Sequence, residues 1–198
     1  MRRSAGIPFI IQAILVTEPS VRGCQCLKET MQRLLHFSSV DCYADTYTRL
    51  HAFNILRALY RDTKLGDNIV PFVSEGVKCA IKGFSSKWWS IRNSATLLYS
   101  ALITRMLGVK KNKDDLHSKN SMSAVVFFSR YKELYGFLLE TLEEGARDIS
   151  AGQLSPSIYP VLLLLVRLSP SPLEGVNSSI SLSSFQPSVM ICTRSQIY

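Results

Sequence analysis

No two of the ten glycines in this 198-residue chain stand two positions apart, so it lacks the G-x-G turn that lets a backbone approach a dinucleotide or a methyl-donor cofactor. It has no P-loop either. The three histidines, His36, His51 and His117, fall on separate segments and carboxylates are few, which leaves no constellation for acid–base or nucleophilic catalysis. Five cysteines are odd in number and irregularly spaced, and the pair Cys24 and Cys26 finds no second pair and no spaced histidines to complete a zinc site. Free thiols fit a reducing compartment, so the expected location is the cytoplasm. Long apolar runs are missing too: "VLLLLV" (161–166) is far short of the roughly 20 residues that span a bilayer, and a buried helix explains it better. These absences predict a chain with no metal, no cofactor, no transmembrane segment and no catalysis of its own.

Positive charge and apolar residues are abundant. Lysine and arginine number 23 against 15 aspartates and glutamates, a formal charge of +8. That balance favours an acidic partner: RNA, an anionic membrane surface or an acidic protein face. Hydrophobic residues make up 46% of the chain, ample for a sizeable core.

Apolar residues recur at intervals of three and four and no stretch alternates with period two, which predicts helices throughout. In "DTYTRLHAFNILRALYRD" (45–62), Leu50, Phe53 and Tyr60 fall at helical intervals, with Asp45 or Thr46 as the N-cap. Gly66, Gly83 and Gly108 read as punctuation after helices, and Ser155-Pro156 as the start of the last apolar helix. Three segments share Arg-x-(Ser/His)-Ala: Arg2 to Ala5, Arg49 to Ala52, and Arg92 to Ala95. The alanines lie 52 − 5 = 47 and 95 − 52 = 43 residues apart, within the period of HEAT and armadillo arrays of about 40 to 47 residues. A second helix is expected after each, in "CLKETMQRLLHF", "NIVPFVSEGVKCAIKGF" and "FFSRYKELYGFLLETL". The expected fold is an all-α, HEAT/armadillo-like α-solenoid of seven or eight helices in stacked antiparallel pairs. It covers residues 1–175, with a flexible basic loop at 108–122 and a divergent or poorly ordered tail at 176–198.

Four stretches call for a reading beyond helix packing. "RRSAGIPFI" (2–10) imitates the charged start and apolar core of a secretory signal, but Pro8 and Gln12 interrupt the run and no small-x-small cleavage site follows. The arginines of the second and third repeats can cover a helix flank with their stems while their heads reach water or a carboxylate. Lys110 and Lys111 sit in the polar loop, which reads as an inter-helix connection or as a phosphate-touching segment weakened by Asp114 and Asp115. Trp88 and Trp89 are adjacent, about 100° apart on a helix, so one is expected to anchor the core and the other to reach the surface; a stacking platform or a partner's anchor is the alternative.

"RRSAGIP", "RLHAFNILRAL", "KWWSIRNSATLLYSAL" and "YPVLLLLVRL" together resemble the thyroid adenoma-associated protein family, which includes a fungal auxiliary subunit working with a tRNA ribose methyltransferase. The resemblance runs over nearly all of residues 2 to 175. It implies an interior slice of a very large helical-repeat protein, a non-catalytic scaffold supporting 2′-O-methylation of a tRNA anticodon-loop nucleotide. The implied partners are a separate tRNA 2′-O-ribose methyltransferase and tRNA itself. The candidate partner- or tRNA-binding residues are Arg2, Arg3, Ser4, Gly6, Pro8, Arg49, Trp88, Trp89, Arg92, Lys110 and Lys111. A generic protein-binding solenoid without RNA contact is the alternative.

Overall fold

In the computed structural model, residues 6–19, 23–39, 45–108, 122–153, 155–169, 185, 186 and 189 are described. They form eight α-helices, one 3₁₀ segment and a pair of two-residue strands, divided between two units, Met1–Met106 and Leu107–Tyr198.

The first unit holds α1 (Gly6–Val16), α2 (Gln25–Ser38), α3 (Thr46–Arg61), a 3₁₀ segment (Gly66–Phe72), α4 (Val73–Phe84) and α5 (Trp89–Leu107). Asp45 is the N-cap of α3: its Oδ1 accepts from the amide of Thr48 at 2.6 Å, satisfying one of the amides a helix start leaves orphaned. Glu18 does the same for α2 from outside the helix, accepting from the amides of Cys26 (2.8 Å) and Leu27 (3.0 Å). The chain turns into α2 through Gly23 and Cys24, both left-handed, at φ of 67° and 53°. Helix α3 packs on α1 and α2, and α2 also on α4, the next and next-but-one pattern by which stacked repeats bury their apolar stripes. Its Phe53, Leu56, Leu59 and Tyr60 are fully buried, and the Tyr60 hydroxyl donates to the carbonyl of Phe72 at 2.6 Å. Helices α4 and α5 approach so closely that a Cβ on Gly83 would lie 2.6 Å from that of Ala95.

Arginines tie the helix ends of this unit. Arg49 donates from Nε to the carbonyl of Ser38 at the end of α2 (3.1 Å). Arg92 donates to the carbonyls of Ser86 (2.9 Å) and Lys87 (3.0 Å) in the turn after α4. Arg105 reaches from α5 to the carbonyls of Asp62 (2.9 Å) and Gly66 (2.6 Å), just past the end of α3. Carbonyls at and just beyond a helix end lack a partner within it, and at Ser38 and Asp62 a guanidinium supplies one while complementing the negative end of the helix dipole; Arg92 instead ties the start of its own helix to the preceding turn.

The second unit holds β1 (Met122–Ser123), α6 (Ala124–Arg130), α7 (Lys132–Ser150), α8 (Ile158–Leu165) and β2 (Leu168–Ser169). The two strands pair in parallel, Met122 with Leu168 and Ser123 with Ser169. Ser123 caps α6, accepting from the amide of Val126. Phe127 and Phe128 meet edge-on at 5.2 Å, and Phe128 further contacts Tyr135 edge-on and Phe185 in parallel stacking. These geometries suit ring quadrupoles and fix the rings around a shared centre. Gly145 lets α7 lie against α8: a Cβ there would come within 2.3 Å of Cγ1 of the buried Ile158. Pro160 is tolerated in α8 because its missing N–H falls in the first turn, where no carbonyl waits for it.

The expected helix pairs are present, with corrections of detail. Gly83 stands in the last turn of α4, one residue before its end at Phe84, and is buried there, where a side chain would collide with Ala95. The expected helix over 68–84 is a 3₁₀ segment containing Pro71 followed by α4, since Pro71 has no amide to donate. The expected helix over 127–142 is two, broken at Tyr131, whose φ of −123° and ψ of 59° lie outside the helical region. Ser155 and Pro156 precede α8 without belonging to it; Ser157 is its N-cap residue. Helices are not the only elements, because one strand pair closes around α6. The expected loop at 108–122 falls almost wholly, and the tail at 176–198 mostly, outside the described residues.

Candidate functional site

Along the C-terminal half of α3, three adjoining depressions share residues. The first, about 530 Å³, lies between α1 and α3 and is lined by Pro8, Phe9, Gln12, His51, Asn54, Arg57 and Arg61 among others. The second adds Lys64 beside Phe9 and Arg61, and the third runs toward α5 past Arg57, Arg61 and Arg105. Arg61 borders all three, and Arg57 two of them. Four residues apart on one helix, the two arginines share a face.

The charges of this groove are unevenly matched. Its one carboxylate, Asp62, is engaged: Oδ2 accepts from the side-chain amide of Gln12 and Oδ1 from the backbone amide of Lys64 at 2.6 Å. Arg105 is committed to its two carbonyls. Arg57, Arg61 and Lys64 carry side-chain cations with no hydrogen-bond or ion-pair partner among the described residues. Phe9 is 68% exposed at the groove's rim. The result is an apolar, aromatic-edged groove with net positive charge, able to hold an anionic group beside a flat ring.

Of the residues singled out in the sequence, Arg2, Arg3, Ser4, Lys110 and Lys111 lie outside the described residues. Gly6 begins α1, and Pro8 lines the groove. Arg92 donates to backbone carbonyls and Arg49 gives Nε to one while a terminal nitrogen is buried without a partner among the described residues; burial pushes the Arg49 pKa down from its ordinary value, the mark of a cation held partly inside the fold. Trp88 and Trp89 depart from expectation: neither anchors the core, with exposures of 51% and 68%. Trp88 precedes α5, so the angular rule for adjacent helical residues does not govern it. Lys87 lies 5.2 Å from the Trp88 ring centroid, a cation over its face. The residues that sequence reading missed are Arg57, Arg61 and Phe9; the available signal was the four-residue spacing in "RALYR".

No group of three or more metal-ligating side chains occurs among the described residues, and no helix there is long and apolar enough to cross a membrane. Cys24, Cys26 and Cys79 form no disulfide among the described residues, and burial raises the Cys79 pKa.

Residues 92–198 match the family described as Trm732, C-terminal TPR repeats, and residues 1–90 match THADA/TRM732, DUF2428. The chain belongs to the THADA/TRM732 family. The tRNA (32-2′-O)-methyltransferase regulator THADA of Canis lupus familiaris is 50% identical over 202 residues, covering 100% of this chain. The Drosophila melanogaster protein of that name is 36% identical over 94% of the chain, and the regulator trm732 of Schizosaccharomyces pombe 32% identical over 99%. The chain spans 10% of the Canis relative, 12% of the Drosophila one and 14% of the fission-yeast one. No solved structure matches it. The THADA/TRM732 matches and the stacked helices agree on an all-α helical-repeat chain of the α-solenoid class. The family description names TPR repeats where the alanine spacing suggested HEAT or armadillo; all are helical units that stack to bury a continuous core.

Proposed function

We propose that this chain forms part of a non-catalytic scaffold that supports 2′-O-methylation of a tRNA anticodon-loop nucleotide by a separate methyltransferase. The observation that carries this reading is the match of the whole chain, end to end, to relatives named as regulators of a tRNA (32-2′-O)-methyltransferase. Division of labour follows from the chemistry: the enzyme supplies the methyl transfer, and a stacked helical array offers a surface long enough to hold enzyme and folded RNA together. The net charge of +8 supports tRNA as the second partner, and an odd, irregularly spaced set of five cysteines supports the cytoplasm as the place of action.

The exposed Trp88 and Trp89 favour a second reading, a protein-binding scaffold that meets only the enzyme. Capture of the purified methyltransferase by the immobilised chain, with and without tRNA at two salt concentrations, separates the two. Salt-sensitive capture strengthened by tRNA supports the RNA-handling scaffold. Salt-tolerant capture indifferent to tRNA and lost in Trp88→Ala or Trp89→Ala supports the protein-only scaffold. Absence of capture by a folded, helical sample removes both from this part of the family's chain.

A further inference from the structure

We propose that the groove between α1 and α3 binds an unpaired RNA segment, with phosphates held by Arg57 and Arg61 and a base laid on Phe9. This rests on the reading that the scaffold handles tRNA and names the place where it would do so.

The six described arginines of the first unit divide sharply. Arg33 pairs with Glu29, and Arg49, Arg92 and Arg105 donate to backbone carbonyls. Arg57 and Arg61 do neither, although they stand on a helix with a buried face and flank the same groove. An arginine that the fold does not consume is available to a ligand, and two on one helical face, with Lys64 nearby, make a short cationic track. The one carboxylate lining the three depressions, Asp62, accepts from the neutral amides of Gln12 and Lys64 and forms no ion pair with either arginine, so one negative charge faces several cations. Sequence-independent attraction for a phosphate chain follows.

The rim selects among anionic partners. Phe9 presents an open ring beside the cations, and stacking on an aromatic face requires a base that is free of its own helix. Asn54 lines the same wall with an amide that both donates and accepts, suited to a base edge. A volume of about 530 Å³ lies within the range of small-ligand pockets, enough to seat one nucleotide and too small for a duplex. An acidic peptide would satisfy the arginines but leave the flat ring without a matching face.

The test is fluorescence anisotropy of the 198-residue chain with a labelled stem-loop RNA carrying an unpaired loop, and with a fully paired RNA of equal length, across a salt series. The chain is expected to prefer the looped RNA. Arg57→Gln combined with Arg61→Gln is expected to weaken binding about tenfold or more and to make the log–log salt slope shallower by about 1.4, from about 0.7 per lost phosphate contact. The Lys pair, R57K with R61K, keeps the charge and most of the slope. Phe9→Ala is expected to cost at least about fivefold on the looped RNA, with the salt slope unchanged. Circular dichroism confirms helicity in each variant. Equal affinity and slope in a helical double variant, or a preference for the paired RNA, overturns the proposal. Methyltransferase capture on the same samples distinguishes this failure from the wider one. Capture retained while RNA binding ignores the groove leaves the scaffold standing and removes the groove. Loss of capture with RNA binding untouched assigns the groove to a protein partner and also overturns the proposal. A wild-type chain that binds neither RNA nor enzyme overturns both readings.

Discussion

The helices of the first unit are joined at their ends by guanidinium groups, those of the second around their middles by aromatic rings. Arg49, Arg92 and Arg105 each reach carbonyls near a helix terminus, whereas Phe127, Phe128, Tyr131, Tyr135 and Phe185 form a connected set of ring contacts. A guanidinium joint is directional and part-buried; a ring cluster is buried and gains from area and contact. The contrast separates two meanings of positive charge. Among the described residues of the first unit three of six arginines are structural, and the groove is visible only once those are set aside. In the second, Arg167 makes the corresponding contact, to the carbonyl of Gly108 at 3.1 Å, but in an exposed position.

Four experiments break or sharpen this contrast. Phe128→Ala removes the ring that three other rings touch; a loss of about 3–5 kcal/mol is expected from thermal unfolding, with hydrogen exchange locating the change in α6 to α8. A loss under about 1 kcal/mol would show that the rings pack without holding the unit. Arg105→Ala leaves the carbonyls of Asp62 and Gly66 without their charged donor, at an expected cost of about 1.5–3 kcal/mol in urea unfolding. Arg105→Lys should recover only part, because an ammonium cannot reproduce the fork. Third, Gly83→Ala and Gly145→Ala crowd one close helix contact in each unit, at Ala95 and Ile158. Overpacking of about 1–3 kcal/mol, offset by up to about 1 of helix propensity, predicts a net loss in both and marks the close approach as common to the two units.

The smallest effect concerns acid. Hydrogen bonds from the amide and side chain of Thr48 hold the Asp45 carboxyl below its ordinary value. Desolvation pushes Glu18 upward, yet the amides of Cys26 and Leu27 prevail and its carboxyl is also lowered. A lowered folded pKa means that these caps stabilise fully above the unfolded carboxylate values and fade as the pH falls through the folded ones. Ser123, which caps α6, does not titrate there. Exchange protection at the starts of α2 and α3 should therefore weaken before that of α6 on mild acidification; simultaneous loss would remove the distinction.

Helix positions are legible in this chain because a stripe at three and four residues is a local pattern, and the Asp45 cap because its partner amide lies three residues away. Interruptions are less so. Gly83 reads as a stop because glycine ends many helices, while the neighbour that demands it, Ala95, is set by tertiary packing. Tyr131 has nothing in its local pattern to announce a break between α6 and α7. The same limit governs the site: Arg49 and Arg57 lie two turns apart on one helix, and only the presence of the Ser38 carbonyl within reach of Arg49 tells them apart. Pro8 could be singled out from its motif, but its place opposite Arg57 and Arg61 depends on how α1 meets α3.

The arginine joints carry a consequence for how such a chain can vary. A salt bridge constrains two codons, since both side chains must be kept. A guanidinium bound to a carbonyl constrains one, because every residue type at positions 38, 62, 66 or 86 presents the same oxygen. Substitution on the receiving side therefore leaves the joint's acceptor in place, whatever it costs separately at the buried Ser38, the positive-φ Gly66 or the hydrogen-bonded Asp62, while loss of the arginine removes the joint itself. Each joint then depends on one side chain instead of two, and so does the part of the groove's geometry that it fixes.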